Sequence, residues 1–249
     1  MNLKSKLLLA LLATSSAAFA QTAPAAPEST LGYNVGVVSE YRYRGLGQTR
    51  GEPALQGGVD YAHSSGFYAG AWASTIKWIK DSGSDAKGPV ELDLYGGYKF
   101  EAAGLAYDVG YLRYEYVGNT YSKTGGVNAN TDEAYAAVTA GPATLKYSYA
   151  FSDLFGTANS KGSAYIDLSA NLDLGNGYSL VPHVGHQKVS NSPNVSYTDF
   201  ALTLNKDLGD GLSASVAAIS TNAKNVDAFT VNGYNTAKNA MIVGVKYSF

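Results

Sequence analysis

Chemistry could come from two groups of side chains in this sequence: three histidines and a scattered set of charges. His63 falls in a predicted turn. His183 and His186 stand three residues apart in one alternating segment, which puts them on opposite faces of a strand. A shared metal or a catalytic dyad is therefore not what this spacing supports. No Gly-x-Ser-x-Gly context offers a nucleophile. Asp81, Asp85, Asp132 and Glu133 are assigned to loops and lack the Asp-x-Asp-x-Asp-Gly spacing of a calcium loop. With no cysteine in the chain, disulfides and thiolate metal sites are excluded. The reading is a protein with no catalytic, cofactor or metal residues, hence not an enzyme.

The second group is more informative. Glu40, Arg42, Arg44, Asp60, Glu91, Asp93, Lys99, Asp167, Asp173, Asp199 and Lys246 all alternate with apolar neighbours. Alternation places them on one face of a strand, opposite an apolar face. Inside a closed barrel such charges line a water-filled passage or pair across a packed interior. Their mixed signs do not name a preferred ion.

The elements that must carry these charges are strands. Val90, Leu92, Leu94, Tyr98 and Phe100 oppose Glu91, Asp93, Tyr95 and Lys99. Ile166, Leu168, Ala170, Leu172 and Leu174 oppose Asp167, Ser169, Asn171 and Asp173. Leu145, Tyr147, Tyr149 and Phe151 oppose Lys146 and Ser148. A first strand sets Tyr33, Val35, Val37 and Tyr41 against Asn34, Gly36, Glu40, Arg42 and Arg44. A second runs Leu55 to Ala62, and a third runs Phe67 to Trp78 with no clear phase. In the fifth, Leu105 to Tyr116, the charges Arg113 and Glu115 fall in the apolar phase; they lie beyond an apolar band, or a bulge resets the register. The last strand closes on Met241, Val243, Val245, Tyr247 and Phe249, with Lys246 on its other face.

Twelve such segments emerge, joined alternately by short turns and long polar loops. That asymmetry is the pattern of an all-β, antiparallel transmembrane barrel with short periplasmic turns and longer extracellular loops. Strands of this length suit a tilted crossing of a bilayer, and an aromatic terminal strand suits closure of a ring without edges. A secreted β-sandwich would also use short strands and turns, but leaves the loop alternation and the aromatic end unexplained.

Composition fits the same class. The 28 glycines and 20 tyrosines, with only 15% charged residues, favour strands with aromatic girdles over helices. A net charge of −2 gives no electrostatic support for nucleic-acid binding. Lys4 and Lys6, the apolar run Leu7 to Leu12, and Ala18-Phe19-Ala20 read as an export signal over residues 1–20. Residues 21–31 read as a Pro/Ala linker, and 32–249 as the barrel, placed in the outer membrane of a Gram-negative cell.

Beyond pattern, the sequence resembles the TorF-type porins of proteobacterial outer membranes. The resemblance lies in Ser39-Glu-Tyr41-Arg-Tyr-Arg44-Gly45-Leu-Gly47-Gln48-Thr49 and Pro53-Ala54-Leu-Gln56-Gly57-Gly58. It continues in Phe67-Tyr-Ala-Gly70-Ala-Trp72-Ala-Ser74, Glu91-Leu-Asp93-Leu-Tyr95-Gly-Gly97-Tyr98 and Tyr107-Asp108-Val-Gly110-Tyr111. It spans the chain after the export signal and is densest over residues 33–116. Leu46 departs from the polar residue that the family pattern favours after Arg-Gly. The resemblance implies a porin-like barrel but no particular solute.

The function expected from these observations is passive passage of small solutes or ions. The alternatives are a structural or adhesive barrel with a packed lumen and partner-binding loops, and, less favoured, an outer-membrane lipase. Expected partners are membrane lipid and the barrel-assembly machinery, the latter through Tyr247 and Phe249. Gly45 and Gly47 should let the first long loop fold inward and bring Arg42 and Arg44 to the lumen mouth. The oligomeric state is not encoded in any of these patterns.

Overall fold

A computed structural model describes residues 28–249. The expected export signal and the linker up to residue 27 lie outside the described residues; Ser29–Leu31, placed by sequence in the linker, already belong to a strand.

Twelve strands form one closed ring. They are β1 (Ser29–Val38), β2 (Ala54–His63), β3 (Phe67–Thr75), β4 (Val90–Ala102), β5 (Leu105–Tyr116) and β6 (Thr131–Ala140). The second half comprises β7 (Ala143–Ala150), β8 (Ala164–Ala170 continuing as Leu172–Gly175), β9 (Tyr178–Lys188), β10 (Tyr197–Gly209), β11 (Leu212–Thr221) and β12 (Ala240–Ser248). Every strand pairs antiparallel with its sequence neighbours, and β1 pairs with β12, Val35 opposite Tyr247 and Val37 opposite Val245. The seam is fastened by reciprocal backbone bonds between Tyr33 and Phe249 (2.8 and 3.0 Å). Tyr33 and Tyr247 each stack on the Phe249 ring, at 5.7 and 5.5 Å. All short turns lie at one end, the short-turn end, and all long connections at the other, the loop end.

The ring turns its apolar rows outward. Leu31, Tyr33, Val35 and Val37 of β1 continue around the wall into Met241 (67% exposed), Val243 (58%) and Val245 of β12. So continuous an apolar belt would be a liability in water and is what a bilayer requires. Strand β3 resolves its phase with Tyr68, Trp72 and Ser74 inward and alanines outward. It ends at Thr75, short of the expected Trp78, because Trp78–Asp81 form one helical turn that buries Ile79. Arg113 and Glu115 do face outward, and the β4–β5 register is unbroken, so no bulge intervenes. They sit near the loop end, where Arg113 bridges Glu115 (2.7 Å) and Asp132 (2.8 Å).

Glycine and tyrosine are abundant because they are paired across strands. Tyr95 lies opposite Gly70, Tyr68 opposite Gly97, and Tyr135 opposite Gly110. A side chain at any of these glycines would collide with the facing tyrosine. Each ring thus lies flat against a bare stretch of wall, an aromatic–glycine pairing that also fixes register.

Candidate functional site: the barrel interior

The interior is organised by a loop. Strand β1 was expected to run through Arg44, but it ends at Val38, and the next residues turn into the barrel. There Arg42–Tyr43 and Leu46–Gly47 form a small hairpin, with its corner at Arg44 (φ 46°) and Gly45 (φ 78°). Tyr41, expected on the outward face, is buried inside the barrel. The alternation continues past residue 38, but the chain bends at Ser39–Glu40 and reverses at Arg44 and Gly45, leaving the extended path that alternation presumes.

The hairpin spans the lumen. Tyr41 OH donates to Glu91 Oε1 on β4 (2.7 Å), and the Tyr43 hydroxyl meets that of Tyr114 on β5. Arg44 reaches β6 and β9: it donates to both carboxylate oxygens of Glu133 (3.0 and 2.7 Å) and to Gln187 Oε1 (2.7 Å). Its guanidinium also lies 4.3 Å from the Tyr165 ring centroid and 5.0 Å from that of Tyr43. Burial opposes the charge on Arg44, but the charge and hydrogen bonds of Glu133, together with the Tyr43 and Tyr114 hydroxyls, hold the guanidinium pKa above its ordinary value. At Gly45 a Cβ would stand 2.6 Å from Asp199 Cβ on β10 and 2.7 Å from Thr221 Cγ2 on β11, so the tip touches the far wall.

A second loop roofs the hairpin. Arg42 donates to the carbonyls of Gly45 (2.9 Å), Thr236 (3.1 Å) and Lys238 (2.6 Å) and pairs with Glu40 (3.2 Å). Tyr234 OH donates to Glu40 Oε1 (2.7 Å). Burial and the Glu40 carboxylate together push the Tyr234 pKa up to about 12. Ile79 from the helical turn packs with Tyr41, Tyr114 and Tyr116, so the loop-end half of the interior is a true core. The short-turn half is lined instead by half-buried polar groups, among them Asn34, Asp60, Lys99 and Lys246.

Glu40, Arg42 and Arg44 are inside the barrel, but on the inserted loop rather than on β1. Asp60, Glu91, Asp93, Lys99, Asp167, Asp199 and Lys246 occupy inward wall positions. Asp173 shares their phase but is exposed at the short-turn rim, where it accepts the Gly175 amide (2.8 Å). Glu133, assigned above to a loop, lies inside on β6 and is 2% exposed; its neighbour Asp132 faces outward. Asp108, Lys146, His183 and Asp207 also face inward but were not among the expected lumen charges, although alternation had already set Lys146 opposite the apolar face of its strand. Alternation could have found Asp108, which sits between outward Tyr107 and Val109. Asp207 escaped because its strand runs on to Gly209, into the Asp207-Leu-Gly-Asp-Gly211 stretch whose glycines read as a turn.

The histidines divide as their spacing implies. His183 faces inward, 2.7 Å from Asp167 Oδ2, and His186 faces outward against Thr198. His63 bonds Ser65 (2.6 Å) within its own exposed turn.

Gly45 gives a direct test of the insertion. Substituting valine should cost about 1–2 kcal/mol for the left-handed backbone and drive a side chain into Asp199 and Thr221. The hairpin tip should then leave the wall, and single-channel recordings should show longer or larger open levels than wild type. Identical recordings would mean that the tip contact does not hold the hairpin.

A family model described as bacterial protein of unknown function (Gcw_chp) matches residues 21–249. No curated protein matches the sequence. Several solved structures share the fold. The KdgM porin superposes with a TM-score of 0.55 at 9% identity, over 89% of this chain and 99% of that one. The NanC porin gives 0.57 at 12% identity, over 88% and 99%. An outer-membrane channel from Pseudomonas putida F1 gives 0.50 at 12% identity, over 90% and 96%. At such identities the likeness is one of fold, and function must be argued from the interior.

Proposed function

We propose that this chain, which belongs to the Gcw_chp family of bacterial proteins of unknown function, is an outer-membrane channel through which small solutes or ions diffuse. The observation that carries the reading is a closed twelve-stranded wall, apolar outside and charged inside, with a loop inserted across its lumen. A ring of this size lies between barrels of eight strands that are filled by side chains and the open porins of sixteen or more. The short-turn end is the periplasmic one and the loop end the outer one, as in barrels of this class. The resemblance to TorF-type porins points the same way.

The inward charges of the short-turn half line the pathway, and the hairpin, with Glu40, Arg42 and Arg44 buried in it, narrows the passage at the loop end. One structural neighbour is described in complex with oligogalacturonate, an acidic sugar chain. Carboxylates outnumber cations inside this barrel, so an acidic oligosaccharide is not the solute its field favours. Refolded protein in a planar bilayer should give discrete conductance steps. Their absence in both wild type and loop variants would favour the second reading, a structural barrel, which the packed loop-end core supports.

The closing strand carries the assembly signal. Phe249 is the residue whose backbone closes the ring on Tyr33 and whose ring joins the Tyr33–Tyr247 stack. Deleting Phe249 should reduce assembly in cells more than refolding in detergent, read by heat-modifiable gel mobility. Equal losses would make it a girdle aromatic and nothing more.

A further inference from the structure

The inward charges are unevenly spread along the barrel. Within four residues of the loop end, inward wall positions hold Glu91, Asp93, Glu133, Asp167 and Asp199, and no lysine or arginine. Wall cations Lys99 and Lys246 lie deeper, toward the short-turn end, and Lys146 stands at the inner edge of the ring, directly across from Asp167. On the Asp167 side the ring meets Lys146 and His183, but at Glu133 its positive charge comes from Arg44, a residue of the inserted hairpin.

Arg44 sits in that ring as a bound ligand would. Its fork takes both Glu133 oxygens, a further donor takes Gln187, and its face covers Tyr165. These are the contacts that recognise a guanidinium: a bidentate carboxylate, a neutral acceptor and an aromatic plane. Unused capacity remains beside it. Glu91, 1% exposed, has a carboxylate oxygen with no hydrogen-bond partner, and so has Asp93 two residues along the same face. Neighbouring aromatic faces already hold cations, Lys146 over Tyr135 at 3.9 Å and Lys99 over Tyr68 at 4.5 Å.

We infer that the acidic ring is a binding site for small guanidinium-type cations, occupied in this state by the tethered guanidinium of Arg44. Withdrawing the hairpin exposes the ring, and a free guanidinium solute takes the vacated contacts. The solute class deepens the channel reading and rests on it for transport, though binding itself needs no conduction.

The test uses full-length refolded protein and methylguanidinium chloride as the probe, with methylammonium and sodium chloride as comparators. Arg44→Ala should bind methylguanidinium at least about tenfold more tightly than wild type, the equivalent of ~1.4 kcal/mol, by titration calorimetry. Adding Glu133→Gln should remove that gain, and methylammonium, which cannot form the fork, should bind more weakly. Arg44→Gln takes the same measurement if the alanine variant does not refold. Equal binding by wild type and variant, or no preference over methylammonium, overturns the site. Binding without any current in a bilayer would keep the site and sink the channel reading; current without binding would do the reverse.

Discussion

Replacing residues 40–52 by a tight turn is expected to raise single-channel conductance several-fold while leaving the barrel intact. Val38 and Ala54 are already direct cross-strand partners at the loop end, so a short hairpin connection can join β1 to β2 without disturbing register. The excised segment includes Tyr41, Arg44 and Gly45, which touch walls on opposite sides of the ring. Its removal leaves Glu133 and Glu91 facing water instead of protein partners, which limits the stability loss: the large penalty for breaking a buried ion pair, about 3–5 kcal/mol, applies only where the orphaned charge stays dry. Point substitution of Glu133 with the hairpin in place is the harsher change for that reason. Unchanged current after excision would show that the hairpin is not the constriction. No current in either form would favour the structural barrel.

Much of this architecture is legible in the chain because a strand's period of two separates its faces without reference to any partner. Lys99 and Glu91 could be placed inside from Phe100, Leu92 and Val90 alone. The hairpin shows where that logic stops. Glu40, Arg42 and Arg44 keep the alternation of β1, so periodicity extends the strand through them, whereas their actual positions depend on two backbone angles and on Glu133 and Gln187, far along the chain. The glycines at 45 and 47 hinted at the inward fold, yet nothing local could show that Arg44 reaches β6. Glu133 was counted with the loop acids for a related reason: β6 alternates small alanines with larger inward groups, an apolar signal too weak to show which face looks inward. Long-range partners choose among conformations that local sequence leaves equally open.

The outward belt offers the other large effect. Val243 stands at the middle of β12, facing out, opposite Val216 of β11. Ser215, next to Val216, faces inward opposite Gly244. An arginine at either site changes charge and size alike, but only one of them would enter hydrocarbon. Val243→Arg should cost about 2–4 kcal/mol, as arginine does near a bilayer midplane on a barrel's lipid face. Ser215→Arg can turn its guanidinium toward Asp60 and Asp207 in the watered half of the lumen, and should cost under about 1 kcal/mol while shifting reversal potentials toward anions. Urea unfolding of protein refolded into lipid vesicles measures the first difference, and asymmetric-salt recordings the second. Equal destabilisation by the two substitutions would remove the assignment of the apolar belt to lipid, because the two faces would then be meeting the same solvent. A shift in selectivity from Val243→Arg would be equally damaging, since a side chain outside the wall has no path to the permeating ion.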